Sequence, residues 1–257
     1  GKFSNTPLSS KFLIKDKPDF MAGLMHTVNM WDTWSTLTQA VHKGKTAIES
    51  DFNKREDDWL ESFIAAMHER ALKQAPVVAG LLDLSNVYRL LDVGGGSGVF
   101  SMAFIRANKN IRATVFDLPN VIPLTEKYLK EEGFENKIEI VAGDYNVDDF
   151  GSGFDMVLLS AIIHSNSFDE NTKLIRKCAK ALNSNGQLVV QDFIMDEDRV
   201  NPAFGALFSL NMLVATEAGD TYTEPEVRAW MGEAGLSKIV RKNTDFNASL
   251  MVGRKIK

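Results

Sequence analysis

Apolar residues recur along this chain with two different periods, and the change between them divides it. From Phe20 onward they return every three or four residues (Phe20, Leu24, Val28, Trp31, Trp34), which predicts a helix with one apolar face. A second run over 59–73 sets Leu60, Phe63, Ile64 and Met67 on one side of another helix. Pro76 predicts a break, because proline lacks the N–H that an inner helical turn needs. Residues 77–84 then read as a short third helix. The charged stretch 48–58 reads as a loop, and residues 1–17 are polar and turn-rich around a brief apolar piece, Phe12-Leu13-Ile14.

From Arg89 the pattern changes to short apolar runs separated by helical ones. Strands are predicted near 89–93, 112–117, 137–142, 155–161 and 187–193, and helices near 98–108, 120–132, 169–183, 201–216 and 224–235. Such alternation implies an α/β fold with helices on both faces of a mostly parallel sheet. Two last strand-like segments, 238–242 and 249–253, flank a short polar loop. They predict a hairpin with an antiparallel strand on the edge, in a seven-stranded sheet preceded by a helical lobe.

Chemistry enters at the end of the first strand. Leu90-Leu91-Asp92-Val93 runs into Gly94-Gly95-Gly96-Ser97-Gly98, and an apolar helix follows. The spacing is G-x-G-x-G. A dinucleotide turn wants G-x-G-x-x-G, and its last glycine falls here on Val99. Backbone N–H groups can still approach a ligand closely, because glycine carries no side chain. Asp92 at the strand end repels phosphate and suits a cationic ammonium or sulfonium, which points to S-adenosylmethionine rather than a nicotinamide cofactor. Asp117 ends the second strand, where a carboxylate can accept from both ribose hydroxyls, and Asp144 ends the third. Any one of these aspartates could be a helix N-cap. Together they lie at the carboxyl ends of strands, where open α/β sheets bind ligands.

The remaining numbers narrow the classes. At 257 residues the chain holds one large domain, or one with a smaller lobe. A net charge of −5 argues against a nucleic-acid partner. No apolar stretch has the length of a membrane span and no secretory core opens the chain, so a cytoplasmic protein with no membrane partner is expected. Cys178 is the only cysteine and reads as packing on a helix. His26, His42, His68 and His164 show no zinc spacing, and no metal is expected.

The segments Leu90–Gly98, Val115-Phe116-Asp117-Leu118-Pro119, Val141-Ala142-Gly143-Asp144-Tyr145 and Leu158 through His164 resemble the caffeate/hydroxyindole/antibiotic O-methyltransferase family. They fall in that family's order and spacing. Residues 4–13 look like the end of its N-terminal winged-helix lobe, so the likeness covers almost the whole chain. The resemblance implies a Rossmann-like class I methyltransferase fold that uses S-adenosylmethionine and no metal. It implies a cofactor site of Asp92, Gly94, Gly95, Gly96, Gly98, Asp117, Leu118, Asp144, Tyr145 and Ser160. It divides the chain into a lobe remnant (1–17), a helical linker and acceptor-pocket lid (18–84) and a cofactor-binding domain (85–257). The family dimerises largely through the N-terminal lobe, most of which this chain lacks, so a homodimer is expected of a full-length form.

His164 lies just past the fourth strand, and Asp192 ends the fifth. Histidine titrates near neutrality and suits a general base for a hydroxyl acceptor. Asp192 then holds one ring nitrogen so that the other faces the acceptor. A loop histidine with no chemistry fits the same spacing. Met25, Trp31, Met67, Phe208 and Met212 are expected to line a flat apolar pocket for a small aromatic or polyketide-like acceptor, Met212 by its match to a family pocket position. Core packing explains any single one of them better, and it is their collective presence beside a cofactor site that fits a flat apolar acceptor.

The chain also departs from the family. His164-Ser165-Asn166 replaces His-Asp-Trp, Asp192 replaces a glutamate, and a second glutamate is lost at Thr221, next to Asp220. Ser160 stands in for a lysine. These changes leave open a relative that binds S-adenosylmethionine without methylating. A nicotinamide reductase is disfavoured by Val99 and Asp92. An amino-group methyltransferase lacks its Pro-Pro-aromatic motif, since 160–164 reads Ser-Ala-Ile-Ile-His.

Overall fold

The structure, a computed structural model, describes residues 1–15, 17 and 19–256. Four helices come first: α1 (Pro7–Phe12), α2 (Leu24–Ser35), α3 (Leu37–Lys43) and α4 (Asp57–Leu81). The alternating region follows with β1 (Arg89–Val93), α5 (Val99–Ala107), β2 (Arg112–Asp117), α6 (Ile122–Glu131), β3 (Ile138–Ala142) and β4 (Phe154–Ser160). It closes with α7 (Phe168–Ala181), β5 (Leu182–Asp192), α8 (Ala203–Ala215), α9 (Glu224–Glu233), β6 (Leu236–Asn243) and β7 (Ser249–Lys255). No described helix is long and apolar enough to cross a membrane.

The sheet order is β3-β2-β1-β4-β5-β7-β6. β1 pairs in parallel with β2 on one side and β4 on the other, so the chain changes direction across the sheet there. The two-residue period of each strand sorts its side chains between two cores. Leu90, Met156, Leu158 and Val189 face α4 and α5 on one side. Leu91, Val157, Leu159 and Val190 face α7 and α9 on the other. Capping boxes at Ser167–Glu170 and Thr223–Glu226 start α7 and α9.

Five expectations need correction. The antiparallel strand is not on the edge: β7 lies between β5 and β6, and β6 forms the edge. β7 is buried from Ser249 to Gly253, whereas β6 alternates, so the more apolar strand takes the inner place. The N-terminal stretch contains α1, capped by Thr6 accepting from the Ser9 N–H, and the charged stretch before α4 contains a 3-10 turn, Phe52–Lys54.

Pro76 does not break its helix. α4 runs through it, with Ala71, Ala75, Val78 and Ala79 buried on the inner face. Pro76 and Leu72 are both exposed, so the Leu72 carbonyl that loses its partner stays within reach of water. Burying Val78 alone stabilises by about 1.5–3 kcal/mol. With the three alanines it outweighs a proline penalty of about 3 kcal/mol. Pro76→Ala should therefore raise the unfolding free energy by about 1–3 kcal/mol, measured by denaturant titration.

The predicted inner face of α2 holds at Trp34 but not at Leu24, Val28 and Trp31. Leu24, Val28 and Trp31 are 38%, 52% and 79% exposed. The half-buried face carries His26, Asn29, Met30, Thr33 and Trp34, also at helical spacing. Polar partners decide between the two. The Trp34 Nε1–H donates to Asn211 Oδ1 on α8 at 2.9 Å, and the Asn29 amide donates to Ser62 Oγ on α4 at 3.2 Å.

Candidate active site

The glycine turn hangs over the carboxyl ends of β1 and β2. Gly94, Gly96 and Gly98 have φ of 65°, 56° and 73°, a left-handed region that costs other residues strain. A Cβ on Gly94 would also collide with Ile162. Asp117 anchors the turn from β2: one carboxylate oxygen accepts the Gly96 N–H at 2.7 Å, and the other accepts the Leu118 N–H at 2.8 Å. From α4, His68 Nδ1 lies 2.9 Å from Ser97 Oγ, and its ring stacks on Tyr128 at 4.2 Å. Sequence reasoning missed this clamp, because nothing local to His68 announces a partner 29 positions on.

Asp92 was expected to face a cationic ligand. It is instead 1% exposed, beneath the turn, and accepts from Ser101 Oγ at 2.7 Å. Burial pushes its carboxyl up to about 6, against the pull of the Ser101 hydroxyl. Burial likewise pushes Asp117 up to about 6, against its two N–H donors. The donor set fits S-adenosylmethionine. Each Asp117 oxygen keeps a lone pair for a ribose hydroxyl. Leu118, Ile64, Val121 and Phe63 form an apolar cluster beside it that suits an adenine ring. The glycine turn lets backbone reach the amino-acid end.

On the far side of β1, Ser160 ends β4 and donates to Gln191 Oε1 at 2.6 Å. Ala161 then takes a positive φ of 57°, rare for a residue with a Cβ. That kink turns the chain into the 3-10 turn Ile163–Ser165, which carries His164. His164 Nδ1 lies 2.8 Å from Asp192 Oδ1, and the His164 backbone N–H donates to Asp192 Oδ2 at 3.3 Å. The ring is 9% exposed and its Nε2 has no hydrogen-bond partner among the described residues. Phe208 meets it edge-on at 5.0 Å. Asp220 does not join this pair, since its carboxylate turns to Arg199 at 3.6 Å, and Thr221 is buried.

Asn166, which stands in the family's tryptophan position, ties a buried polar network. It accepts from the Tyr145 hydroxyl at 3.0 Å and its carbonyl accepts from Tyr222. Burial pushes both phenols above their usual range. Asp144 accepts the Asn146 N–H at 2.8 Å in the loop after β3.

The expected pocket residues divide. Phe208 is half-buried against His164, Met212 is 5% exposed on the same helix, and Met67 is half-buried on α4. Met25 and Trp31 point away, 54% and 79% exposed, because α2 turns its other face inward. A cleft of about 580 Å³ opens between α2, α4 and the β6–β7 loop. Gln74 on its wall accepts from the Gln191 amide at 3.3 Å, which joins that wall to the residue before Asp192.

Comparison with known proteins supplies the context. Residues 34–237 match the sequence profile of the O-methyltransferase domain family. The chain is 33% identical to a 3-hydroxy-5-methyl-1-naphthoate 3-O-methyltransferase from Streptomyces sahachiroi, over 93% of this chain and 71% of that enzyme. It is 27% identical to the tetracenomycin polyketide synthesis 8-O-methyl transferase of Streptomyces glaucescens, over 98% of this chain and 76% of that one. Human N-acetylserotonin methyltransferase, solved in complex with S-adenosylmethionine, superposes with a TM-score of 0.86 at 25% identity. The match covers 98% of this chain and 75% of the human one.

Proposed function

This chain belongs to the O-methyltransferase family, and on that premise we propose that it methylates a hydroxyl of a small aromatic or polyketide-like acceptor, with His164 as general base. As a member it is an S-adenosylmethionine-dependent methyltransferase. The observation that carries the finer reading is the 2.8 Å contact between His164 Nδ1 and Asp192.

When bound, S-adenosylmethionine supplies an electrophilic methyl carbon on a sulfonium. Gly94–Gly98 and Asp117 would hold it, with Leu118, Asp144, Tyr145 and Ser160 around it. The protein's own work is alignment and one proton. A phenol has a pKa of about 10, so at neutral pH it keeps its proton until a base takes it. Asp192 accepts the Nδ1–H and leaves the Nε2 lone pair open for the acceptor proton. Phe208 and Met212 exclude water and lie flat apolar surface against the acceptor ring. Residues 18–84 enclose the acceptor, residues 85–257 bind the cofactor, and residues 1–17 belong to the N-terminal lobe.

Asp192→Asn tests the pairing. An asparagine amide can donate to Nδ1 and stabilise the tautomer with its proton on Nε2, which is no base. Turnover should fall at least about tenfold, while calorimetric affinity for S-adenosylhomocysteine stays near the parent value. Unchanged turnover would remove Asp192 from the mechanism.

A further inference from the structure

The inner face of α7 is apolar but for one amide. Asn171 leads a stripe of Leu174, Ile175 and Cys178 at helical spacing, and it is fully buried. An apolar side chain would complete that stripe without the cost of withdrawing an amide from water. The contribution of the amide therefore lies in what it bonds.

Both halves of the amide are engaged. Its Nδ2–H donates to the Ile163 carbonyl at 2.8 Å, and its Oδ1 accepts from the Asn166 amide at 3.2 Å. Ile163 and His164 share one peptide unit. Asn171 holds the carbonyl of that unit from α7, and its N–H donates to Asp192 Oδ2 from β5 at 3.3 Å. The peptide plane that carries His164 is thus gripped at both ends, by side chains from two different elements. The turn needs that support, because it is three residues long and is entered through the positive φ of Ala161. Within it the Ile163 carbonyl also accepts the Asn166 N–H, at 3.3 Å. Asn171 is itself firmly placed. The Ser167–Glu170 capping box fixes the start of α7, and the Asn171 N–H donates to the Ser167 carbonyl at 3.0 Å. Asn166 is held in turn from the loop after β3, by the Tyr145 hydroxyl at 3.0 Å.

We propose that Asn171 is a positioning residue: it fixes the Ile163–His164 peptide and so aims the His164 ring, with its Nδ1–H on Asp192 and its Nε2 toward the acceptor. This rests on the reading of His164 as the base. It deepens that reading, because it places part of the alignment on a helix that touches neither cofactor nor acceptor.

The first test needs no turnover. The protein is labelled with ¹⁵N-histidine and loaded with S-adenosylhomocysteine, and NMR reads the tautomer of the His164 ring. The parent should show the Nδ1–H tautomer alone. Asn171→Ala should give averaged or broadened ring signals, whereas Leu174→Ala, the same kind of truncation on the same stripe, should keep the parent pattern. Asn171→Asp keeps the shape and the acceptor for Asn166 but loses the donor to Ile163. It should behave like Asn171→Ala, and it serves in its place if the alanine variant does not fold. Ring signals in the Asn171 variants that match the parent would overturn the proposal, and so would an equal change in Leu174→Ala. The second test is kinetic. Asn171→Ala should lower kcat about 10- to 100-fold, the scale of a small misplacement of a reacting group, with KM and S-adenosylhomocysteine affinity near the parent values. In a His164→Ala background the same substitution should cost nothing further, since there is no base left to aim. An equal loss in both backgrounds marks a structural role and overturns the proposal. If the ring signals change as expected but the parent forms no product with S-adenosylmethionine, Asn171 still fixes the ring and the methylation reading fails.

Discussion

Replacing His164 with alanine should lower turnover of a weakly acidic phenol by about 10²- to 10⁴-fold, the usual worth of a positioned general base. Affinity for S-adenosylhomocysteine should change little, because His164 touches Asp192, Phe193 and Phe208 rather than the glycine turn. The loss should shrink as the acceptor becomes more acidic, since a phenolate formed in solution needs no base. That dependence separates base from packing. Alanine in place of a ring that is 9% exposed also leaves the Asp192 carboxylate with backbone donors alone, and a purely structural injury would depress all acceptors alike. Steady-state kinetics over a series of substituted phenols reads the difference. A uniform loss across the series removes the base role.

Asp117→Ala should weaken S-adenosylhomocysteine binding by about 10- to 150-fold, the range for hydrogen bonds to a charged group. Two losses coincide: the ribose hydroxyls lose their acceptor, and the Gly96 N–H that Asp117 holds at 2.7 Å is released, so the turn loosens. The same carboxylate makes binding depend on pH. In the free protein burial holds its carboxyl at about 6. Hydroxyl donors favour the ionised form, so the bound form titrates lower. Affinity should therefore be level above about pH 6 and fall as pH drops through it. Asp117→Asn should bind more weakly at neutral pH and lack that step. Calorimetry from pH 5 to 8 checks both, and a step that survives in the asparagine variant assigns it to another group.

Much of this arrangement is legible in the sequence, for identifiable reasons. The glycine turn, the strand-end carboxylates and the His164–Asp192 pair all sit at ends of parallel strands, and the alternation from Arg89 onward fixes which end faces the ligand. Parallel register brings the end of β4 beside the end of β5, so His164 and Asp192 meet across 28 positions. The helical lobe was harder to read. Apolar spacing on α2 fits two adjacent faces, and only the partners of Asn29 and Trp34 on other helices choose between them. Pro76 carries a strong local signal for a break, which the buried alanine face of α4 overrides. His68 shows no sequence signal, because its contact with Ser97 arises only from α4 lying against the glycine turn.

The most direct test of the central claim is transfer itself. The protein is incubated with S-adenosylmethionine carrying a ¹³C-labelled methyl group and a panel of hydroxyarenes, with and without carboxylates, and products are followed by NMR. The account predicts that the label appears as a methyl ether on a hydroxyl oxygen, with one S-adenosylhomocysteine formed per product and both dependent on His164. Label on carbon or nitrogen, or tight binding of S-adenosylhomocysteine with no transfer to any acceptor, would contradict it.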